Sequence, residues 1–220
     1  FGFKVTDGDG DSVTTGCLIV TVKDDGPTVC DVANVVDETG GFDTVSGTLV
    51  GSSFGADGAG KVVLNAVPTG LTSHGNAVTL TTSVDGKVIT GMAAGAVVFT
   101  VTLNADGSGY TFVQKAALDH PDSSNPNDAL NLNFGFKVTD VDGDSANGNF
   151  NVKVYDDGPT AGTSTVTVDE TGGFDSVSGN LSFNFNMDGA GKVAIATTPT
   201  GLTSHGVAVT VTLSADGTTA

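Results

Sequence analysis

Hydrophobic and polar residues alternate along much of this chain with a period of two. Leu130, Leu132, Phe134, Phe136 and Val138 alternate with Asn131, Asn133, Gly135, Lys137 and Thr139, the signature of a strand with one buried and one solvated face. Phe150, Val152 and Val154 alternate with Asn and Lys in the same way. Val97, Phe99, Val101 and Leu103 form another such face, followed by Asn104-Ala105-Asp106-Gly107 and a second run from Tyr110 to Val113. That order predicts a hairpin. Leu181, Phe183, Phe185 and Met187 predict a further strand face. No window of about 11 residues carries an apolar stripe at helical spacing.

The same motifs return along the chain. FGFKVTD occurs at 1–7 and 134–140, DDGPT at 24–28 and 156–160, and VDETGGFD at 36–43 and 168–175. DGAGKV recurs at 57–62 and 188–193, and PTGLTSHG at 68–75 and 199–206. The offsets run from 131 to 133, so the repeating unit has about 132 residues, too long for a solenoid coil and the size of a whole domain. With Asp-Asp-Gly-Pro as the junction, 1–25 is the tail of one unit, 26–157 a complete unit, and 158–220 the first half of another. Short strands punctuated by Gly, Asp and Asn turns predict an all-β fold, a tandem array of antiparallel β-sandwiches with roughly seven to ten strands per unit. The chain starts on a strand-like Phe1 without an initiator Met or signal peptide, and so reads as an excerpt of a longer protein.

Charge narrows the choice of partner. The 220 residues carry 25 acids against 8 Lys and no Arg, a net charge of −17, and 23 of the acids are Asp. Asp favours turns over helix and strand interiors, which agrees with a loop-rich β fold. An apolar fraction of 38% argues against an acidic disordered tail. Nucleic acid and anionic membranes are repelled by such a surface, whereas divalent cations are attracted. The longest apolar run, Met92–Val101, is far short of the roughly 20 residues of a membrane helix, so no membrane insertion is expected of this segment.

The strongest chemical signal is Asp7-Gly8-Asp9-Gly10-Asp11, repeated as Asp140-Val141-Asp142-Gly143-Asp144. Three carboxylates at alternate positions of a tight loop converge on one point, and Ca2+ takes six to eight oxygen ligands at about 2.3–2.6 Å. An EF-hand needs Gly at its sixth position and Glu at its twelfth. Here Gly is fourth and the twelfth residues are Leu18 and Asn151, so the loop is of another type. The bland alternative is a solvated acidic turn. Asp24-Asp25 and Asp156-Asp157 end the following strand, and Asp37-Glu38 and Asp169-Glu170 lie about a dozen residues further on. If units stack end to end, these pairs and the loop meet at the junction and hold Ca2+ there; otherwise Asp-Asp-Gly-Pro is only a polar linker.

Other signals are weaker. Asp57 and Asp188 either bind a secondary calcium or shape a turn. Asp119, Asp122 and Asp128 lie in a Ser/Asn/Pro loop, there to hold calcium or simply to be solvated. His74, His120 and His205 are isolated in the sequence and read as structural. Gly55–Lys61 resembles a phosphate-binding loop, but Val62 stands where Ser or Thr is required. No Gly-x-Ser-x-Gly elbow is present and no acid pair marks a cleft, so catalysis is not expected. Cys17 and Cys30 bracket the first junction, and their repeat positions hold Asn149 and Gly162. They form either a disulfide across the linker or two independent thiols.

Phe-x-Phe-x-Val-Thr-Asp-x-Asp-Gly-Asp, Asp-Asp-Gly-Pro-Thr, Val-Asp-Glu, Gly-Ala-Asp-Gly-Ala-Gly and Leu-Asp-His-Pro occur in this order within the repeat. The combination resembles the tandem repeats of type I-secreted RTX-type giant proteins, the bacterial surface adhesins and agglutinins and the stalks of some RTX toxins. The resemblance implies Ig-like β-sandwiches exported unfolded, folding outside the cell on Ca2+ and acting as a spacer. Its immediate partners are then neighbouring repeats of the same chain, while the ligand of the full protein stays unknown. The RTX nonapeptide is not present in tandem, so no calcium β-roll is expected. A glycan- or protein-binding sandwich module is the competing reading, although 6% aromatic content and no Trp leave little for a sugar platform. A toxin or exoenzyme stalk would carry the same local chemistry.

Overall fold

A computed structural model describes residues 1–49, 52–169, 171–173 and 176–220. The strands, in chain order, are β1 (Gly2–Thr6), β2 (Ser12–Cys17), β3 (Val32–Asp37), β4 (Thr44–Thr48), β5 (Ala59–Ala66), β6 (Thr72–Ser73), β7 (Asn76–Ala77), β8 (Thr79–Thr82) and β9 (Val88–Ala93). They continue as β10 (Ala96–Leu103), β11 (Gly109–Gln114), β12 (Ala129–Asp140), β13 (Ser145–Tyr155), β14 (Thr160–Ala161), β15 (Phe183–Asn184), β16 (Thr203–Ser204) and β17 (Val207–Ala208). Among the described residues no helix is long and apolar enough to cross a membrane.

Two sheets lie face to face as a β-sandwich. One has the order β4-β11-β10-β9-β8 and the other β3-β13-β12-β5. Both are drawn from strands between Val32 and Tyr155. All pairings within them are antiparallel except β13 with β3, which runs parallel from Phe150 opposite Val32 to Tyr155 opposite Asp37. The longest pairing, β12 with β13, sets Ala129 opposite Tyr155 and Thr139 opposite Ser145. It is long because its period-two pattern never breaks: Leu132, Phe134, Phe136 and Val138 on β12, and Phe150, Val152 and Val154 on β13, all face inward and are buried. On β10 the alternation slips once. A bulge between Val97 and Phe99 turns Val98 and Phe99 both into the core, the usual effect of an inserted strand residue.

With no Trp, the core is closed by a Phe and Tyr cluster that bridges the sheets. Tyr110 of β11 stacks on Phe150 of β13 with ring centroids 3.9 Å apart, and Phe150 stacks on Phe134 at 5.2 Å. Phe99 of β10 meets Phe134 edge-on at 6.1 Å and Phe112 at 5.3 Å. Asn34 donates from Nδ2 to the Tyr110 hydroxyl at 2.8 Å, tying β3 to the opposite sheet and satisfying a buried polar tip.

The flanking segments carry the same motifs in a different setting. Phe3 on β1 is the repeat counterpart of Phe136, yet it is 50% exposed where Phe136 is 0%. Val168 is 48% exposed against 1% for its counterpart Val36. The strand expected over Leu181–Met187 shrinks to Phe183–Asn184, followed by one 3-10 turn at Asn186–Asp188. Asn186 has a positive φ of 56°, as does its counterpart Gly55 at 79°; a left-handed residue stops strand extension, and Asn is the non-glycine type that tolerates it best.

Phe136→Ala is expected to destabilise the full chain by about 3–5 kcal/mol, and Phe3→Ala by less than about 0.5 kcal/mol. Denaturant titration of the two variants checks this; equal losses would show that the flanking hairpin is as well packed as the sandwich.

Candidate metal centre

The turn between β12 and β13 is built around Asp140, the last residue of β12. Its Oδ1 accepts the Gly143 N–H at 3.0 Å, and its N–H donates to the Asp144 carbonyl at 3.1 Å. Gly143 takes a φ of 113°, which a side chain would strain. The turn between β1 and β2 repeats this: Asp7 Oδ1 accepts the N–H groups of Gly10 and Asp11 at 3.1 and 2.8 Å, and Gly10 has a φ of 106°. Within each loop the three carboxylates, Asp7, Asp9 and Asp11 or Asp140, Asp142 and Asp144, offer oxygens within 4.8 Å of one another. Three carboxylates this close offer a hard cation several oxygen ligands from one short loop. Asp140 is only 3% exposed, and its buried Oδ2 has no hydrogen-bond partner among the described residues. A carboxylate oxygen so placed is costly unless a cation or proton meets it.

The two Asp-Asp pairs share one local geometry, but only the first comes to an acidic loop. Asp156-Asp157 lies at the opposite end of the hairpin from Asp140–Asp144, so the expected meeting of a loop with the pair that follows it does not occur. Asp24 Oδ1 accepts the Asp25 N–H at 3.1 Å and Asp156 Oδ1 accepts the Asp157 N–H at 2.9 Å. Asp25 Oδ2 then accepts the Ala56 N–H at 2.7 Å, and Asp157 Oδ2 the Met187 N–H at 3.1 Å. The second Asp of each pair therefore clamps the loop that carries Asp57 or Asp188, and leaves the first Asp to face other carboxylates. Asp24 joins Asp57 and Asp142 in a group whose oxygens lie within 4.8 Å of one another. The charge of Asp24 is the leading reason that Asp144 is raised above the usual carboxylate range. Asp142 is raised too, first by its hydrogen bond with Asp140, while Asp7 is lowered, first by its hydrogen bond with Asp9. Neighbouring carboxylates this crowded share protons when no cation is present.

Asp156 enters a different group at the far end of the β12–β13 hairpin. Its backbone N–H donates to the Asp128 carbonyl at 3.0 Å, and the Glu38 N–H donates to the Tyr155 carbonyl at 3.2 Å. These bonds bring Glu38, His120 and Asp156 together with ligand atoms within 4.8 Å of one another. Glu38 is 0% exposed. Its Oε1 accepts from Gln114 Nε2 and from the Leu118 N–H at 3.2 Å, while its Oε2 has no hydrogen-bond partner among the described residues. Burial pushes Glu38 up to about 7 against those two hydrogen bonds, with Asp188 and Asp156 adding repulsion. Asp188 is raised as well, by burial and then by Asp156.

The remaining expected ligands fall outside these groups. Asp37 and Asp169 are exposed and spend an oxygen on a turn, accepting the N–H groups of Thr39 and Thr171 at 2.8 and 2.7 Å. Glu170 lies outside the described residues. Asp122 accepts from Ser124, and Asp119 Oδ2 accepts the Gly75 N–H at 2.8 Å; both brace loops. Cys17 and Cys30 are free and exposed. His120 is the residue that the sequence did not single out as a ligand. Its place depends on residues 38, 120 and 156 converging in space, for which no spacing rule exists.

Residues 31–153 match a protein family described as a domain of unknown function, DUF5801. The chain belongs to that family. No curated protein and no solved structure matches it. The DUF5801 span holds both sheets of the sandwich and includes Glu38, His120 and the Asp140–Asp144 loop, and it excludes the linker pairs at 24–25 and 156–157.

A raised carboxyl inverts the usual pH dependence of this DUF5801 chain. Between the ordinary 4.5 and about 7 the folded state binds the proton on Glu38 and the unfolded state does not, so stability falls as pH rises through that window. Chelator-treated protein is expected to be more stable at pH 5 than at pH 8, by on the order of 3 kcal/mol from Glu38. Glu38→Gln should flatten the profile. Denaturant midpoints across pH measure this, and a rise in stability from pH 5 to pH 8 in the chelated protein would contradict it.

Proposed function

We propose that this chain is a calcium-stabilised structural extender repeat of a large secreted bacterial surface adhesin, with no catalytic role. One observation carries the reading. The polypeptide enters the sandwich at the acidic turn, where Asp24 meets Asp57 and Asp142, and leaves beyond Tyr155 at the other end of the β12–β13 hairpin. The 11 residues of β13 span roughly 35 Å at strand rise, so each unit carries the chain forward by its own length. A module that binds ligand in a cleft has no need of this layout; a spacer does.

Asp140, Asp142 and Asp144 would hold calcium, with Asp24 and Asp57 beside them, and Asp7, Asp9 and Asp11 would form the preceding site. The donor set is all carboxylate oxygen, which fits a hard cation, and the unpartnered Oδ2 of Asp140 is supplied with a partner. Calcium would contribute the positive charge that cancels the repulsion among these groups. Asp25 and Asp157 then act as positioning residues, fixing the linker to the Asp57 and Asp188 loops through backbone N–H groups. Without the cation, the carboxylates repel and the chain stays loosely folded, a state suited to export. With free ligand at ten times Kd, one site adds about 1.4 kcal/mol.

Thermal melts of the full chain should move up by several degrees from chelator to millimolar calcium, and Asp140→Asn should remove most of the shift. Small-angle scattering should show the chain lengthening and stiffening over the same titration. An unchanged melt in calcium would overturn the reading.

A further inference from the structure

The group at the exit end differs in chemistry from the acidic turns, because it contains a nitrogen. The His120 side chain is 2% exposed, with Nδ1 3.4 Å from Asp128 Oδ1. Among the described residues neither ring nitrogen has a hydrogen-bond partner. Asp128 is itself held in place, its Oδ2 accepting the Asp122 N–H at 3.1 Å. Asp128 thus stands close enough to Nδ1 to take its N–H once a metal on the other nitrogen fixes the ring, the partner that orients a metal-bound histidine. Glu38, a member of the same group, has a buried Oε2 with no hydrogen-bond partner among the described residues, its other oxygen pinned by Gln114 and Leu118. His120, Asp156 and Asp188 also line an open cavity of about 370 Å³, which gives an ion a way in.

We propose that Glu38, His120 and Asp156, with Asp188 at the rim, form a binding site for a transition-metal dication of the zinc class. The site is distinct from the oxygen-only calcium loops. Ca2+ and Mg2+ take oxygen ligands, whereas imidazole combined with carboxylate suits Zn2+ and its neighbours. In this assignment Nε2 of His120 and Oε2 of Glu38 are ligands, and Asp128 is a positioning residue behind Nδ1. The site joins residues from the start, the middle and the exit of the unit, so an ion there would pin the linker to the body of the sandwich. This inference stands apart from the calcium reading: either can fail alone.

The test uses the full chain with Cys17→Ser and Cys30→Ser, because exposed thiols would bind the same metals. Co2+ is titrated in saturating calcium and followed by visible d–d absorption and by equilibrium dialysis. One equivalent should bind, with bands that zinc displaces. His120→Gln should weaken binding by more than the roughly 10–100-fold that loss of an outer partner costs, and Asp128→Asn by about that amount. His205→Ala, at an exposed turn, should leave the bands unchanged. Asp156→Asn serves as the second ligand variant if His120→Gln does not fold, which circular dichroism reports. Absence of stoichiometric Co2+ binding, or bands that persist in folded His120→Gln or Asp156→Asn, would overturn the proposal. A calcium melt run in parallel reports on the loops alone.

Discussion

The pairing of β12 with β13 is the constraint on which the rest of the molecule depends. It extends from Ala129 opposite Tyr155 to Thr139 opposite Ser145, so one hairpin runs the length of the sandwich. Its inner face supplies Phe134 and Phe150, on which Tyr110, Phe99 and Phe112 of the other sheet pack, with Phe136 against Phe150. Its turn is the acidic loop, and its open end is where the chain departs toward Asp156. Register fixes all three together. A slip of one residue would turn the phenylalanines to solvent and would also displace Asp140 from the end of the strand.

Burial of the hairpin requires both its neighbours. β5 pairs with one edge of β12 and β3 with the free edge of β13, while the second sheet covers the face. Where the β12 motif and its turn occur without that surrounding, as in β1 and β2, the hairpin and its acidic turn still form but the apolar face remains exposed. Turn geometry is thus a local property of Asp-x-Asp-Gly-Asp, and burial is a property of the whole unit. The electrostatics follow the same division. Asp140 loses water because it sits at the end of a buried strand, whereas its counterpart Asp7 keeps water on an exposed one.

The all-β architecture was legible in the sequence because a period of two is a local signal. Alternation from Leu130 to Val138 and from Phe150 to Val154 located the two central strands, and the turn at Asn104–Gly107 located the β10–β11 hairpin. The loops Asp7–Asp11 and Asp140–Asp144 were legible for the same reason, since their carboxylates converge through local turn geometry. Two things were not. The strand expected over Leu181–Met187 yields to a left-handed residue at Asn186, a backbone demand that the Gly at the equivalent position 55 announces and Asn conceals. The grouping of Glu38 with His120 is set by the parallel β3–β13 pairing and by Asp156 bonding to the Asp128 carbonyl; both are long-range contacts, which leave no mark on spacing.

The repeat gives these two acidic groups a common meaning. Asp24 and Asp156 occupy the same position of the unit, and so do Asp57 and Asp188. In the first copy the linker Asp faces the turn of the unit that follows it, through Asp142 and Asp144. In the second it faces the unit that precedes it, through Glu38 and His120. The two groups therefore surround the same Asp-Asp position of the repeat, each seen in a different copy. Set side by side, they place an oxygen-only loop and a nitrogen-containing pocket on either flank of a single Asp-Asp pair. Much of the chain's negative charge is thereby gathered at the two ends of the sandwich, while its middle is closed by the Phe and Tyr cluster and the Asn34–Tyr110 hydrogen bond.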